Sequence, residues 1–179
     1  MSTSEKILKT LETFTDDIQS VILSTKNPKG ETFASYSPFV EDKDGNYYVY
    51  LSTAVPHAYN LYTSKKAHIL FLEDESKTEH IYARRRLYFD AVAEKFKPDD
   101  KRDDEIFALF KERFKDKVAF FSGMKDFRLY KLTPSNGNLV LGFGQAFKVS
   151  ADRKTLTLND KGHYDSHENG LKEYDKKFK

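Results

Sequence analysis

Two histidines, His163 and His167, stand four residues apart in the polar stretch NDKGHYDSHENG, Asn159 to Gly170. A neutral imidazole is a good ligand for iron or zinc. Gly162 lets the backbone bend sharply just before His163. A ligand histidine is strengthened by an acceptor on its other ring nitrogen, and a carboxylate fills that role well. Asp126, in GMKDFRLYKL, is a candidate on a distant segment. The plainer reading is a solvated polar tail, and sequence alone does not bring the two segments together.

Two further groupings could bind an anion. YARRRLYFDA places Arg84, Arg85 and Arg86 at the expected start of a strand. Alternation then puts Arg84 and Arg86 on one face, where two guanidiniums can grip a phosphate or carboxylate. The competing reading is a solvated edge, or ion pairing with the acidic EDES run at Glu73 to Ser76. STAVPHAYNL places His57 and Asn60 at the start of a short helix, whose free N–H groups attract anions. Ser52 and Asn60 could hydrogen-bond such a ligand or the neighbouring backbone, and His57 reads equally as an exposed helix-start residue. His68 and His80 are lone histidines with no assigned role.

Other chemistries lose support. There is no cysteine, which removes disulfides, thiolate metal sites and a cysteine nucleophile. No phosphate-binding loop, dinucleotide fingerprint, zinc-protease helix or nucleophile elbow is present, and GFGQA has only two glycines. A net charge of +2, with lysines interleaved among acids, argues against a nucleic-acid partner. No apolar run approaches the roughly 18 residues of a membrane span, and MSTSEKILKT has no apolar signal core. The expectation is a cytoplasmic protein with no membrane partner.

The elements that would carry these residues can be read from periodicity. Ile7, Leu8, Leu11 and Phe14 mark an amphipathic helix. SVILSTKNPKGETFASYSPFVEDKDGNYYVYLST reads as three strands, with turns at Asn27–Gly30 and Asp42–Gly45. A short helix at VPHAYNLYTSKKA and a strand at HILFLED follow. In RRRLYFDAVAEKF, Leu87, Phe89, Ala91 and Ala93 share one face. DDKRDDEIFALFKERF is a helix with acids first and bases last, as the macrodipole favours. FRLYKLTPSNGNLVLGFGQAFKV reads as a hairpin turning at Pro134–Gly137. The sum is one domain over residues 1–179, with residues 150–179 as a polar tail that a ligand could order. A β-barrel of about six strands with small outer helices fits. Strands apolar on both faces suggest that a second subunit covers one of them, making a homodimer.

The pieces SYSPFV, YVYLSTAVPHAYNL, LFLEDES, IYARRRLYFDA, GFGQAF and GH follow one another over roughly residues 20 to 165. In this order they resemble the HugZ/HutZ heme-utilisation family, within the pyridoxamine-phosphate-oxidase-like split barrels. The resemblance implies a mainly β (α+β) fold, a split β-barrel of about six strands with Greek-key topology, homodimeric. It implies heme bound at the subunit interface and broken down oxidatively to release iron. Dioxygen would be activated at the iron, with electrons from a separate donor. His163 matches the axial ligand, with His167 as the alternative, and Asp126 matches the aspartate that orients it across the dimer. Arg84 to Arg86 and His57 match contacts to propionates or to structure. Split barrels also bind flavin mononucleotide, and Arg84 with STAVPHAYNL matches the phosphate region of those relatives. An FMN-dependent oxidoreductase, or a heme storage or trafficking protein without turnover, is the alternative. The aromatic content, 15 Phe and 11 Tyr, can wall either ring system.

Overall fold

The computed structural model describes residues 3–97, 102–118 and 124–158; His163 and His167 lie outside them. Helix α1 (Thr3–Glu12) leads to three strands, β1 (Ser20–Lys26), β2 (Thr32–Glu41) and β3 (Tyr47–Ser52). Next come α2 (Pro56–Ser64), β4 (Lys66–Leu72), β5 (Arg86–Lys95) and α3 (Arg102–Phe114). The long β6 (Phe127–Gly142), β7 (Gln145–Val149) and the short β8 (Leu156–Leu158) complete the described chain.

Both expected turns in the first three strands are present, and β1, β2 and β3 form the antiparallel meander. The strand order is β3-β2-β1-β4-β5-β6, and β6 returns to pair with β3. This closes a six-stranded antiparallel barrel. Because β4 lies beside β1 rather than β3, the order is a Greek key. Helix α2 makes that crossing and lodges Ala58 and Leu61 in the core. Tyr130 donates its hydroxyl to the Ala58 carbonyl at 3.1 Å, fixing β6 to the helix. β7 and β8 extend the sheet beyond the barrel.

The interior follows from two-residue alternation. On β5, Leu87, Phe89, Ala91 and Ala93 are buried as the sequence pattern requires. They meet Leu23, Phe39, Tyr47, Ile69 and Phe71. A second apolar layer lies outside the barrel wall. There Val40, Tyr48 and Leu129 pack with Phe96 and with Ile106 and Phe110 of α3. Strands β2, β3 and β6 are thus apolar on both faces, and α3 covers the outer one.

The hairpin expected at Pro134–Gly137 is not there. β6 runs straight through it, and the chain turns at Phe143–Gly144 instead. Residues 134–137 form a bulge: Ala91 pairs with Pro134 and Phe89 with Gly137, so Ser135 and Asn136 both face Asp90. Ser135 Oγ donates to the Asp90 carbonyl at 3.0 Å. Gly137 is needed because the ring of Phe89 lies directly over it. A Cβ there would meet Phe89 Cδ1 at 2.2 Å and the Tyr88 carbonyl oxygen at 2.6 Å. Phe89 is fully buried and has no room to retreat. Gly137→Ala is expected to cost about 1–3 kcal/mol by overpacking. Urea unfolding checks this, with a lowered midpoint and an unchanged slope.

Candidate functional site

The outer layer opens into a groove of about 640 Å³, within the range of small-molecule sites. One wall is the barrel: Gln19 and Ser20 entering β1, Tyr36, Ser37 and Pro38 of β2, and Tyr50, Leu51 and Ser52 of β3. Phe110 and Phe114 of α3, with Lys117 just beyond it, form the other wall. Val55 and His57 at the start of α2, and Phe127 at the start of β6, close one end. The Tyr50 ring sits 5.2 Å from that of Phe127 and 5.9 Å from that of Phe107. Burial pushes the Tyr50 hydroxyl above its ordinary range, so it stays a neutral donor.

The far wall exists because α3 is held in place. Phe110 and Ile106 bury its inner face. At its C-terminal turn, Arg113 Nη2 donates to the carbonyls of Thr15, Asp16 and Ile18 at 2.9, 3.3 and 2.6 Å. Its guanidinium lies over the Phe39 ring at 5.0 Å. One side chain therefore ties α3 to the loop that delivers Gln19 and Ser20.

Three of the residues singled out from sequence meet at this groove. Ser52 and His57 line it, and Asp126 sits at its rim beside Phe127. Ser52 Oγ donates to Asp126 Oδ2 at 2.5 Å. The Thr53 N–H donates to the Asp126 carbonyl at 2.8 Å, so side chain and backbone are both fixed. His57 is half-buried, and burial holds its imidazole below the ordinary 6.5. Its ring lies 6.4 Å from that of Phe33.

Asn60 and the arginines are elsewhere. Asn60 is buried and donates to Thr25 Oγ1 at 3.1 Å, joining α2 to β1. The expected strand start at Arg84 is corrected to Arg86, so alternation does not align the two. Arg84 donates to the Glu73 carbonyl at 2.6 Å and to Glu75 Oε1 at 2.9 Å. Arg85 lies 3.6 Å from Glu73 Oε1, and Arg86 donates to the Arg84 carbonyl at 2.9 Å. The acidic EDES run takes up Arg84 and Arg85, as the plainer reading held for them, while Arg86 bonds to backbone. Arg84 lines a separate cavity of about 430 Å³, of mixed polar and apolar lining, that shares Gln19 and Ser20 with the groove. Sequence reasoning missed Phe110, Phe114, Lys117 and Arg113. The apolar stripe of α3 was visible, but not what it faces.

A closed Greek-key barrel with an aromatic groove on its outer wall defines a class, and the comparisons agree with it. The sequence pattern of the pyridoxamine 5'-phosphate oxidase family matches residues 7–141, and the chain belongs to that family as a HutZ-like member. It is 36% identical over 142 residues to heme oxygenase HutZ of Vibrio cholerae, covering 79% of this chain and 80% of that one. The crystal structure of Campylobacter jejuni ChuZ matches with a TM-score of 0.79 and 32% identity, over 88% of this chain. That match covers 64% of ChuZ, so this chain spans less than two thirds of that relative. The crystal structure of Vibrio cholerae HutZ, described there as a heme storage protein, matches with a TM-score of 0.71 and 30% identity. It covers 80% of this chain and 99% of that one.

The His57 environment gives a pH prediction. The fold favours neutral imidazole, so this contribution to stability is complete above 6.5 and declines as pH falls below it. An NMR titration should place the His57 midpoint below 6.5. A His57→Gln chain should lose less stability than the parent between about pH 7 and 5.

Proposed function

We propose that the chain binds heme in this groove and degrades it oxidatively, releasing iron. The observation that carries the reading is an apolar, aromatic slot with a fixed carboxylate, Asp126, at its rim. Tyr36, Tyr50, Phe110, Phe114 and Phe127 suit the faces and edges of a macrocycle. Lys117 is an exposed cation at the groove that suits a propionate. His163 is the proposed axial ligand, with His167 its rival, and Asp126 the acceptor for its second ring nitrogen. Bound heme would supply the dioxygen chemistry, with electrons from a separate donor. The residues of the chain hold it, orient it and keep its surroundings apolar.

The FMN alternative asks for a phosphate grip. Of its paired candidates, Arg84 and Arg86, the first is directed at Glu75 and the second at the Arg84 carbonyl. Storage or trafficking without turnover uses the same site and differs only in the fate of the bound heme. HutZ carries both descriptions, heme oxygenase and heme storage protein.

We infer a homodimer from the barrel's outer face. Tyr36 pairs with Ile22, Ile22 with Leu70 and Leu70 with Tyr88, giving an apolar row across four strands. Tyr36 is 72% exposed in the single chain and also lines the groove. A second subunit covering this row would border the heme. The arrangement is consistent with a cytoplasmic protein that works without membrane or nucleic acid. Among the described residues no helix is long and apolar enough to cross a membrane.

Hemin titration should give a Soret band that His163→Ala shifts and His167→Ala leaves alone; the reverse pattern assigns His167. Loss of the Asp126 carboxylate, in Asp126→Ala, should weaken binding by about 10- to 100-fold. With a reductant and dioxygen the band should bleach and yield a bilin and free iron; a stable band means storage. A yellow protein as purified, carrying flavin, would favour the FMN reading. Light scattering should report a dimer, and Ile22→Lys with Tyr36→Lys a monomer.

A further inference from the structure

We propose that Ser52 is a positioning residue for the iron's histidine, acting through Asp126 rather than by touching the ligand. The inference rests on the heme reading above. Its basis is a directed chain of hydrogen bonds. The Ala54 N–H donates to Ser52 Oγ at 3.1 Å, so that oxygen already accepts. Its own proton goes to Asp126 Oδ2, 2.5 Å away. An ionised carboxylate can only accept, which fixes the polarity of the chain from backbone amide to hydroxyl to carboxylate.

The geometry sets which oxygen remains. Asp126 Oδ2 is taken by Ser52, and Oδ1 has no hydrogen-bond partner among the described residues. A carboxylate held at one oxygen presents the other in a defined direction, which an imidazole N–H needs in its acceptor. Asp126 is exposed and lies in a turn just before β6. Unrestrained, its side chain would sample several rotamers. Ser52 is the better-anchored of the two. It ends β3, and its backbone is in register with Phe127 of β6. The Thr53 N–H to Asp126 carbonyl bond holds the two backbones together without help from either side chain. Removing the Ser52 hydroxyl should therefore free the carboxylate while leaving the turn in place.

Positioning and electronic roles differ in sign. A hydroxyl on Oδ2 draws charge from the carboxylate. If charge were its only effect, losing it would strengthen the pull of Asp126 on the imidazole N–H. If Ser52 positions, losing it weakens that pull, and the iron–histidine bond changes as though Asp126 itself had been lost.

The test compares Ser52→Ala, Ser52→Thr and Asp126→Asn with the parent. Ligand-free crystal structures form the first arm. The Asp126 carboxylate should leave its place in Ser52→Ala and keep it in Ser52→Thr. Resonance Raman of the ferrous hemin-loaded proteins forms the second. The iron–histidine stretch of Ser52→Ala should fall towards that of Asp126→Asn, and Ser52→Thr should restore the parent value. A carboxylate that stays put in Ser52→Ala overturns the positioning role, whether or not hemin binds. A displaced carboxylate with an unmoved stretch, or one shifted away from Asp126→Asn, overturns the link to the ligand. If the parent takes up no hemin, the heme reading fails and that link with it, and the crystallographic arm alone decides whether Ser52 holds Asp126.

Discussion

Pairing of β3 with β6 is the constraint on which the rest depends. The ladder runs from Tyr47 opposite Leu132 to Ser52 opposite Phe127. It joins the last barrel strand to the third and leaves the six barrel strands without a free edge. It also makes the site, because its final rung places residue 126 against the end of β3. Ser52 and Asp126 are 74 residues apart in the chain, and no local interaction could bring them together. The loop-closure entropy of that contact is met by the whole ladder and by the core behind it. The hydrogen bond at the rim comes as a consequence of closure.

Closure alone would leave the outer face of β2, β3 and β6 apolar and wet. Val40, Tyr48 and Leu129 point outward there, and α3 covers them. Arg113 ties the C-terminal turn of α3 to the loop before β1, and Phe110, Phe114 and Lys117 then face β2 and β3 across the groove. The same device is repeated on the other side of the α1–β1 loop. There Arg153 bonds Glu41 and donates to the Tyr47 hydroxyl at 2.6 Å, while Thr15 donates to Glu41 Oε2 at 2.8 Å. The loop from Thr15 to Ile18 is thus held by Arg113 through its carbonyls and by Glu41 through a side chain. Gln19 and Ser20 inherit a fixed position from both.

What the sequence made legible was what depends on local period and turn chemistry. The alternation of β5, the meander and both of its turns and the stripe of α3 all follow from near neighbours, and the run of short strands they define suggests a barrel of about six. The failures share one cause, which is a partner distant in sequence. Pro134-Ser135-Asn136-Gly137 has the composition of a turn, yet Gly137 is there for the ring of Phe89 across the ladder. For Arg84, ion pairing with the EDES run was one of the readings open from sequence, and only the fold across the β4–β5 connection selects it. Asn60 looked like a helix-start ligand and instead satisfies Thr25 on β1. Of the site, Ser52, His57 and Asp126 were nameable, but their meeting was not, and the far wall of the groove was invisible. His163 and His167 stay a matter of resemblance, since they lie outside the described residues.

The arginines bear directly on which ring system the groove suits. A flavin phosphate is compact and close to dianionic, and it wants several donors converging on one point. Arg84 is 20% exposed at its side chain and already bonds a carbonyl and a carboxylate. Turning it to a ligand would leave the Glu73 carbonyl without that donor and Glu75 without its cation, a cost that the new contact must first offset. Heme asks for less from the polar rim and more from the walls. In the proposed reading its propionates lie at the groove mouth, near water and an exposed lysine, with the macrocycle in the aromatic slot. Among the described residues, a groove lined by five Phe and Tyr rings and one lysine, with the held Asp126 carboxylate beside it, matches that division of labour. Fold alone leaves both ligands open, and the disposition of charge around the groove supports heme.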